Sequence, residues 1–301
     1  MRGLTLLLFA LTWTATTVPL TALAQEAQAQ STASSNIPSN AATNRIISAG
    51  ASITEIIYAL GAQQQLVATD VTSHKWHNGT LPNVGYHRQL TTEGLLALTP
   101  TTLIASQEAG PDTTLQLLRQ ADVEVTVLHP GNQIDDLKMR IEQVAQQTGH
   151  TSQATRLMAK IDNLASQLQR QQPALQQQQK VVFILLRDGS PLSLAGSNTP
   201  VDTIIELMGA TNPAAAQIDS YKPASSEALL TMAPDVILVS QRSLQQIGGV
   251  EALLTAHPML AVTPAGQKQR IFSIEGTSLI GELGISSLHE AQRLHNLVYG
   301  D

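Results

Sequence analysis

The chain has 301 residues, no cysteine, 3% aromatic residues and a formal charge of −6 at neutral pH. Lacking cysteine, it can build neither a disulfide framework nor a thiolate metal site. The acidic balance and the absence of any basic run argue against a nucleic-acid partner.

The first segment reads as a targeting signal. A basic start at Met1–Arg2, a mostly apolar run from Leu4 to Leu11 and the small-x-small triplet Ala22-Leu23-Ala24 make residues 1–24 a signal peptide cut after Ala24. Thr12, Thr14, Thr16, Thr17 and Pro19 break the stretch too often for a membrane anchor, which needs roughly 20 apolar residues. Residues 25–43, rich in Gln, Ser, Ala and Asn, cannot bury enough surface to offset ordering and form a flexible lead-in. A protein exported in this way, with no cysteine to lipidate, is expected in the periplasm as a freely diffusing molecule.

From Asn44 onward the chain reads twice. TTEGLLALTPTTLIAS (91–106) returns as SSEALLTMAPDVILVS (225–240), and EIIYALGA (55–62) returns as TIIELMGA (203–210). Spacings of 134 and 148 residues are too long for a solenoid and imply two similar lobes with separate cores and a ligand cleft between them.

The N-terminal lobe, 44–133, opens with the strand RIISAG and the helix SITEIIYALGA, where Ser52 and Glu55 suggest a capping box and Gly61 a left-handed stop. The strand LVATD (66–70), a long loop, the helix TTEGLLAL, the strand TLIAS (102–106), a helix over 111–121 and the strand VEVTVLH (123–129) follow. Residues 134–172 keep one helical stripe (Ile134, Leu137, Ile141, Val144, Leu157, Ile161, Leu164, Leu168), with Gly149 as a divider, and read as a connecting helix. So stiff a connector implies lobes that move little on ligand binding. The C-terminal lobe, 173–301, repeats the plan: KVVFILL, the helix at 200–210 with Pro200 in its first turn, SSEALLTM, DVILVS, VEALLTA, RIFSIE and a last helix over about 280–298. The expected fold is α/β, two Rossmann-like lobes with parallel sheets joined by a long helical connector.

No nucleophile elbow, P-loop, HExxH or dinucleotide fingerprint is present, so binding without catalysis is the expected role. The long loop, SHKWHNGTLPNVGYHRQL (73–90), carries the chemistry. It gathers His74, Lys75, Trp76, His77, Tyr86, His87 and Arg88 at the carboxyl end of a strand, where α/β sheets bind ligands. Gly85 frees the backbone so that Tyr86 can project. The histidines leave a zinc or manganese receptor open as an alternative.

LPNVGYHRQLTTEGLLAL, with RIISAGASITEIIYALGA before it and EAGP (108–111) after it, resembles the periplasmic haem-binding proteins of bacterial haem ABC importers. These belong to the helical-backbone class of substrate-binding proteins, which also serves cobalamin and ferric siderophores; those ligands are the alternatives within the fold. The resemblance implies haem b as the transported ligand, Tyr86 as the axial ligand to its iron and Arg88 as a hydrogen-bonding residue beside it. Ferric iron favours an anionic oxygen, and a guanidinium favours the phenolate over the phenol. Propionates need cations: Arg242, which follows the strand DVILVS, is the first candidate and Lys75 the second. Some members of this branch add a second-lobe histidine for a second haem. Here residues 183–200 offer Arg187 and Asp188 but no histidine, which points to one haem. Glu93 and Glu227 open equivalent helices, where the macrodipole alone favours a carboxylate. The class places an acidic residue of each lobe there to dock onto the inner-membrane ABC permease, and these two match. A monomer is expected.

Overall fold

The computed structural model describes residues 44–186 and 191–300; the signal peptide, the lead-in and Arg187 with Asp188 lie outside them. Strands β1 (Ile46–Ala49), β2 (Leu66–Thr69), β3 (Thr102–Ala105) and β4 (Glu124–Val127) form a parallel sheet in the order β2-β1-β3-β4. β1 and β3 are buried along their whole length, as central strands of a parallel sheet must be. Strand order reverses between them, and beyond the carboxyl ends of such strands, here Ala49 and Ala105, is where open α/β sheets bind ligands.

The second sheet contains β5 (Val181–Leu185), β6 (Ser193–Ala195), β7 (Tyr221–Pro223), β8 (Val236–Ser240) and β9 (Ile271–Ile274), in the order β7-β6-β5-β8-β9. β5, β8 and β9 pair in parallel; β6 and β7 are added to one edge by antiparallel pairing. The expected all-parallel sheet is therefore mixed. The two added strands have three residues each, too few for their alternation to register in sequence.

The repeat survives down to single hydrogen bonds. Helix Ala51–Ala59 ends at Gly61 (φ 78°) with the Ala62 amide donating to Ile57 O at 3.0 Å. Helix Pro200–Leu207 ends at Gly209 (φ 85°) with the Ala210 amide donating to Ile205 O at 3.0 Å. Both are Schellman closures that L side chains resist. Helices Thr92–Leu96 and Ser226–Met232 are capped alike, by the hydroxyls of Thr91 and Ser225.

Three expectations change. The capping box does not form, because the first helix begins directly after Gly50 (φ 144°) and Ser52 already lies inside it. Glu55 instead sits buried and accepts from the Ser286 amide at 2.8 Å and the Ser286 hydroxyl at 3.2 Å, at the start of the terminal helix Ile285–Tyr299. Gly149 does divide the connector, into Ile134–Thr148 and Thr151–Arg170, but the two helices do not run on end to end: the chain folds back there (φ 75°) so that Lys138 Nζ meets Asp162 Oδ1 at 2.9 Å. The shorter helix packs on Ala51–Ala59 and the longer on Ile285–Tyr299.

The cores are not separate either. One cluster runs from Ile46, Ile53 and Ile57 through Ile141 and Ile161 to Phe183, Ile204 and Leu294, while two smaller clusters cover the outer faces of the sheets. Polar staples reinforce that junction. Arg140, fully buried, donates to His129 O (3.1 Å), Gly131 O (2.9 Å) and Leu283 O (2.6 Å), and Asn132 Oδ1 accepts from the Leu283 amide at 3.1 Å. No helix among the described residues is long and apolar enough to cross a membrane.

Candidate functional site

The loop between β2 and helix Thr92–Leu96 is tied down at both ends. Residues 82–85 run beside the end of β2, with the Val84 amide donating to Thr69 O (3.0 Å) and the Val71 amide to Gly85 O (2.9 Å). Gly85 holds φ 88°, a conformation that glycine adopts at little cost, and from there Tyr86 projects 40% exposed. The loop after β3 closes the far side: the Gly110 amide donates to His87 O at 2.9 Å and the Leu90 amide to Gly110 O at 2.8 Å. YHR and EAG are thus held against each other.

Under the exposed tyrosine lies a buried ion pair. His87 Nδ1 donates to Asp70 Oδ2 at 2.8 Å, with both side chains almost fully buried. Asp70 also accepts from the hydroxyls of Thr72 (2.6 Å) and Ser73 (2.7 Å), and Ser73 continues through Thr54 to Ser48. Burial alone would lower the His87 pKa, but the hydrogen bonds and charges of Asp70 and Glu108 push it up to about 9. Burial would raise Asp70, yet His87 and the two hydroxyls hold it below its usual value. The His87 ring lies 4.5 Å from that of Tyr86, and its buried Nε2 faces Glu108 Oε2 at 3.6 Å, a second ion-pair contact.

Arg88 grips Glu108 with two nitrogens: Nε donates to Oε2 at 3.1 Å, and a terminal nitrogen contacts Oε1. The hydrogen bond from His87 lowers the Glu108 pKa, burial opposes this, and Arg88 lowers it further. Arg88 is raised first by Glu108, against burial, with smaller contributions from Tyr86 and Glu282, so it lies within the field of both. Across from it stands Tyr221, packed edge-on to Phe183 at 6.4 Å and pushed up to about 12 by burial and then by Glu108. Tyr221 had no signal in the sequence, since it sits on β7, an edge strand outside both repeats. Glu108 was legible only as part of the EAGP string.

The other candidates are dispersed. Lys75 pairs with Glu275 at 3.1 Å, linking the loop to the second half, and covers the Trp76 ring at 4.8 Å. Arg242 is exposed in the first turn of helix Gln241–Ile247 and has no ion pair among the described residues. Both Glu108 and Arg242 follow equivalent strands, so the repeat puts opposite charges at matching points. Glu93 and Glu227 are exposed at the second position of their helices.

His77 uses both ring nitrogens within the loop. Nδ1 accepts from the Leu81 amide (3.2 Å) and Nε2 meets the Thr69 hydroxyl (2.9 Å); burial and then His74 lower its pKa, matching a neutral ring. Three or more potential metal ligands do not gather anywhere among the described residues. His77 and His87 serve to hold the loop that presents Tyr86.

Residues 46–277 match the model of a family described as periplasmic binding protein. Among solved structures, the chain is similar to the periplasmic haem-binding protein HutB of Vibrio cholerae, with 50% identity and a TM-score of 0.81 over 85% of this chain and 99% of that one. It is also similar to the periplasmic haem-binding protein BhuT in complex with two haems: 33% identity, TM-score 0.77, 84% of this chain and 96% of that one. A vitamin B12-binding protein of Vibrio parahaemolyticus is 25% identical over 211 residues, 69% of this chain and 75% of its own.

Proposed function

This chain belongs to the periplasmic binding protein family, and on that premise we propose that it binds haem in the periplasm and delivers it to an ABC importer, without altering it chemically. One observation carries the reading: an exposed tyrosine on a firmly held turn, with a guanidinium two residues on and an imidazole packed beneath it. Tyr86 is the ligand to ferric iron, and Arg88 stabilises the phenolate once the proton leaves. The 50% identity to HutB supports the cargo.

Arg242 is the better propionate partner, because it has no ion pair to give up among the described residues. Lys75 would first have to part from Glu275. One haem b per monomer is the stoichiometry we propose, although BhuT holds two. Glu93 and Glu227, matched in helix position and exposed, would orient the protein over a two-fold permease. Residues 1–24 would direct export, with 44–133 and 173–301 as the lobes.

The test is a hemin titration. Wild-type protein should develop a Soret band and a high-spin ferric spectrum, and Tyr86→Phe should abolish or shift both. An unchanged spectrum in that variant would reject the ligand assignment. The vitamin B12-binding relatives favour cobalamin as the second reading, and a parallel titration with cyanocobalamin decides between them.

A further inference from the structure

Helix Ala51–Ala59 starts where β1 ends, beside the reversal of strand order, and its first turn has neither a side-chain cap nor an acidic residue of its own. Uncapped amides at such a point attract anions. Ser106, the residue after β3, adjoins this turn: a Cβ on Gly50 would lie 3.3 Å from Ser106 Cβ. The Ser106 side chain is 2% exposed and its hydroxyl has no partner. Into this floor the second half of the chain sends one carboxylate. Glu282 is 9% exposed and accepts from the Ser52 hydroxyl at 3.3 Å, its one hydrogen bond among the described residues. It forms no salt bridge there, although Arg140 and Arg88 lie within its field, and Arg140 donates to three carbonyls instead. That field reaches the residue two after Tyr86, so floor and loop belong to one cleft. A carboxylate buried with so few partners costs the fold free energy, and its presence points to a task other than stability.

We propose that Glu282 sets the polarity of the cleft: its carboxylate closes this floor to negative groups, so that haem lies with its uncharged vinyl edge inward and both propionates outward, toward Arg242. This rests on the haem reading and deepens it into a rule for the cargo. Haem b carries its two carboxylates on one edge, so a single orientation keeps both away from Glu282. Arg242, exposed after β8 and without an ion pair among the described residues, is then the partner for that edge. A porphyrin with carboxylates on every edge has no such orientation and must bring one against the floor. There the like charge repels it, and salt screens the repulsion poorly because Glu282 is buried. Reciprocal contacts fix the carboxylate in place. Glu55 of the first half serves Ser286 of the terminal helix, and Glu282, just ahead of that helix, takes the Ser52 hydroxyl in return. Its neighbour Leu283 is held by Asn132 and Arg140. Glu282 therefore cannot swing aside to admit an anion without parting these contacts. The cargo that follows is an iron porphyrin with its negative charge confined to one edge.

The experiment titrates the full mature chain with hemin and with ferric coproporphyrin III, which carries a carboxylate on each of its four pyrroles, and reads the ratio of the two affinities. Wild-type protein should prefer hemin at least about tenfold, the order expected for one like charge roughly 10 Å away in a partly buried site. Glu282→Gln keeps the acceptor for Ser52 without the charge and should narrow that preference about tenfold. Glu282→Asp keeps the charge and should keep the preference, which a merely structural role for the side chain would not produce. Thermal melts of the unloaded variants check that each is folded. Equal affinity of the wild type for both porphyrins, an unchanged ratio in Glu282→Gln, or the same loss of preference in Glu282→Asp would overturn the inference. Failure of the wild-type protein to bind hemin at all would instead reject the cargo assignment and this inference with it.

Discussion

Glu55 joins the two halves of the molecule and carries a measurable penalty for doing so. Its carboxylate is 5% exposed, caps the terminal helix through the Ser286 amide and hydroxyl, and lies against Gly284, where a Cβ would come within 2.5 Å of Oε2. Burial outweighs the Ser286 hydrogen bonds and the charge of Lys75, raising its pKa from 4.5 to about 7. A raised carboxylate pKa means that the folded state binds the proton more tightly than the unfolded state. Its contribution to stability is therefore fully present below pH 4.5 and lost as pH rises through about 7. A shift of that size corresponds to about 3 kcal/mol at pH 8. Glu55→Gln keeps the acceptor for the Ser286 amide and removes the charge. It should match wild type near pH 4.5 and exceed it by up to about 3 kcal/mol at pH 8, or roughly 6–12 °C in Tm for a chain of this size. Urea unfolding of both proteins across pH 4.5–8 measures the difference directly. If the variant's advantage were the same at both ends of that range, the buried charge would not be the cause.

Three further variants test other parts of the structure. Asp70→Asn strands His87, whose pairing stabilises the fold below pH 6.5 and is lost as pH rises through about 9. The variant should be about 3–5 kcal/mol less stable at pH 6 by chemical denaturation, and its imidazole should titrate lower by NMR. Arg140→Met leaves three carbonyls without their donor, Leu283 O across the junction among them, and should cost roughly 2–5 kcal/mol in the same assay. Reversing both exposed carboxylates, Glu93→Arg with Glu227→Arg, should abolish haem delivery to reconstituted permease while leaving hemin affinity within twofold; a parallel loss of affinity would refute a docking role.

Much of the architecture was legible because its signals are local. Gly61 marks a helix end through its backbone freedom and Pro200 fits a first turn, and the structure adds the matching stop at Gly209 and the hydroxyl caps of Thr91 and Ser225. Each feature is decided within a few residues, so the repeat could be read without a structure. The apolar stripe over 134–172 was equally clear, yet it could not show that the chain folds back at Gly149, since both helices present the same periodicity whether stacked end to end or side by side. Tyr86 and Arg88 were marked by their motif. Their surroundings were not: Asp70 reaches His87 across 17 residues, Arg88 reaches Glu108 across 20 and Glu55 reaches Ser286 across 231. Glu55 shows the limit most plainly, for its spacing from Ser52 suits a local cap, and only the packing of one half on the other gives the carboxylate a different helix to serve. Spacing along the chain determines which residues can form turns and caps; which charges meet in a buried site depends on distances that exist only after the halves have come together.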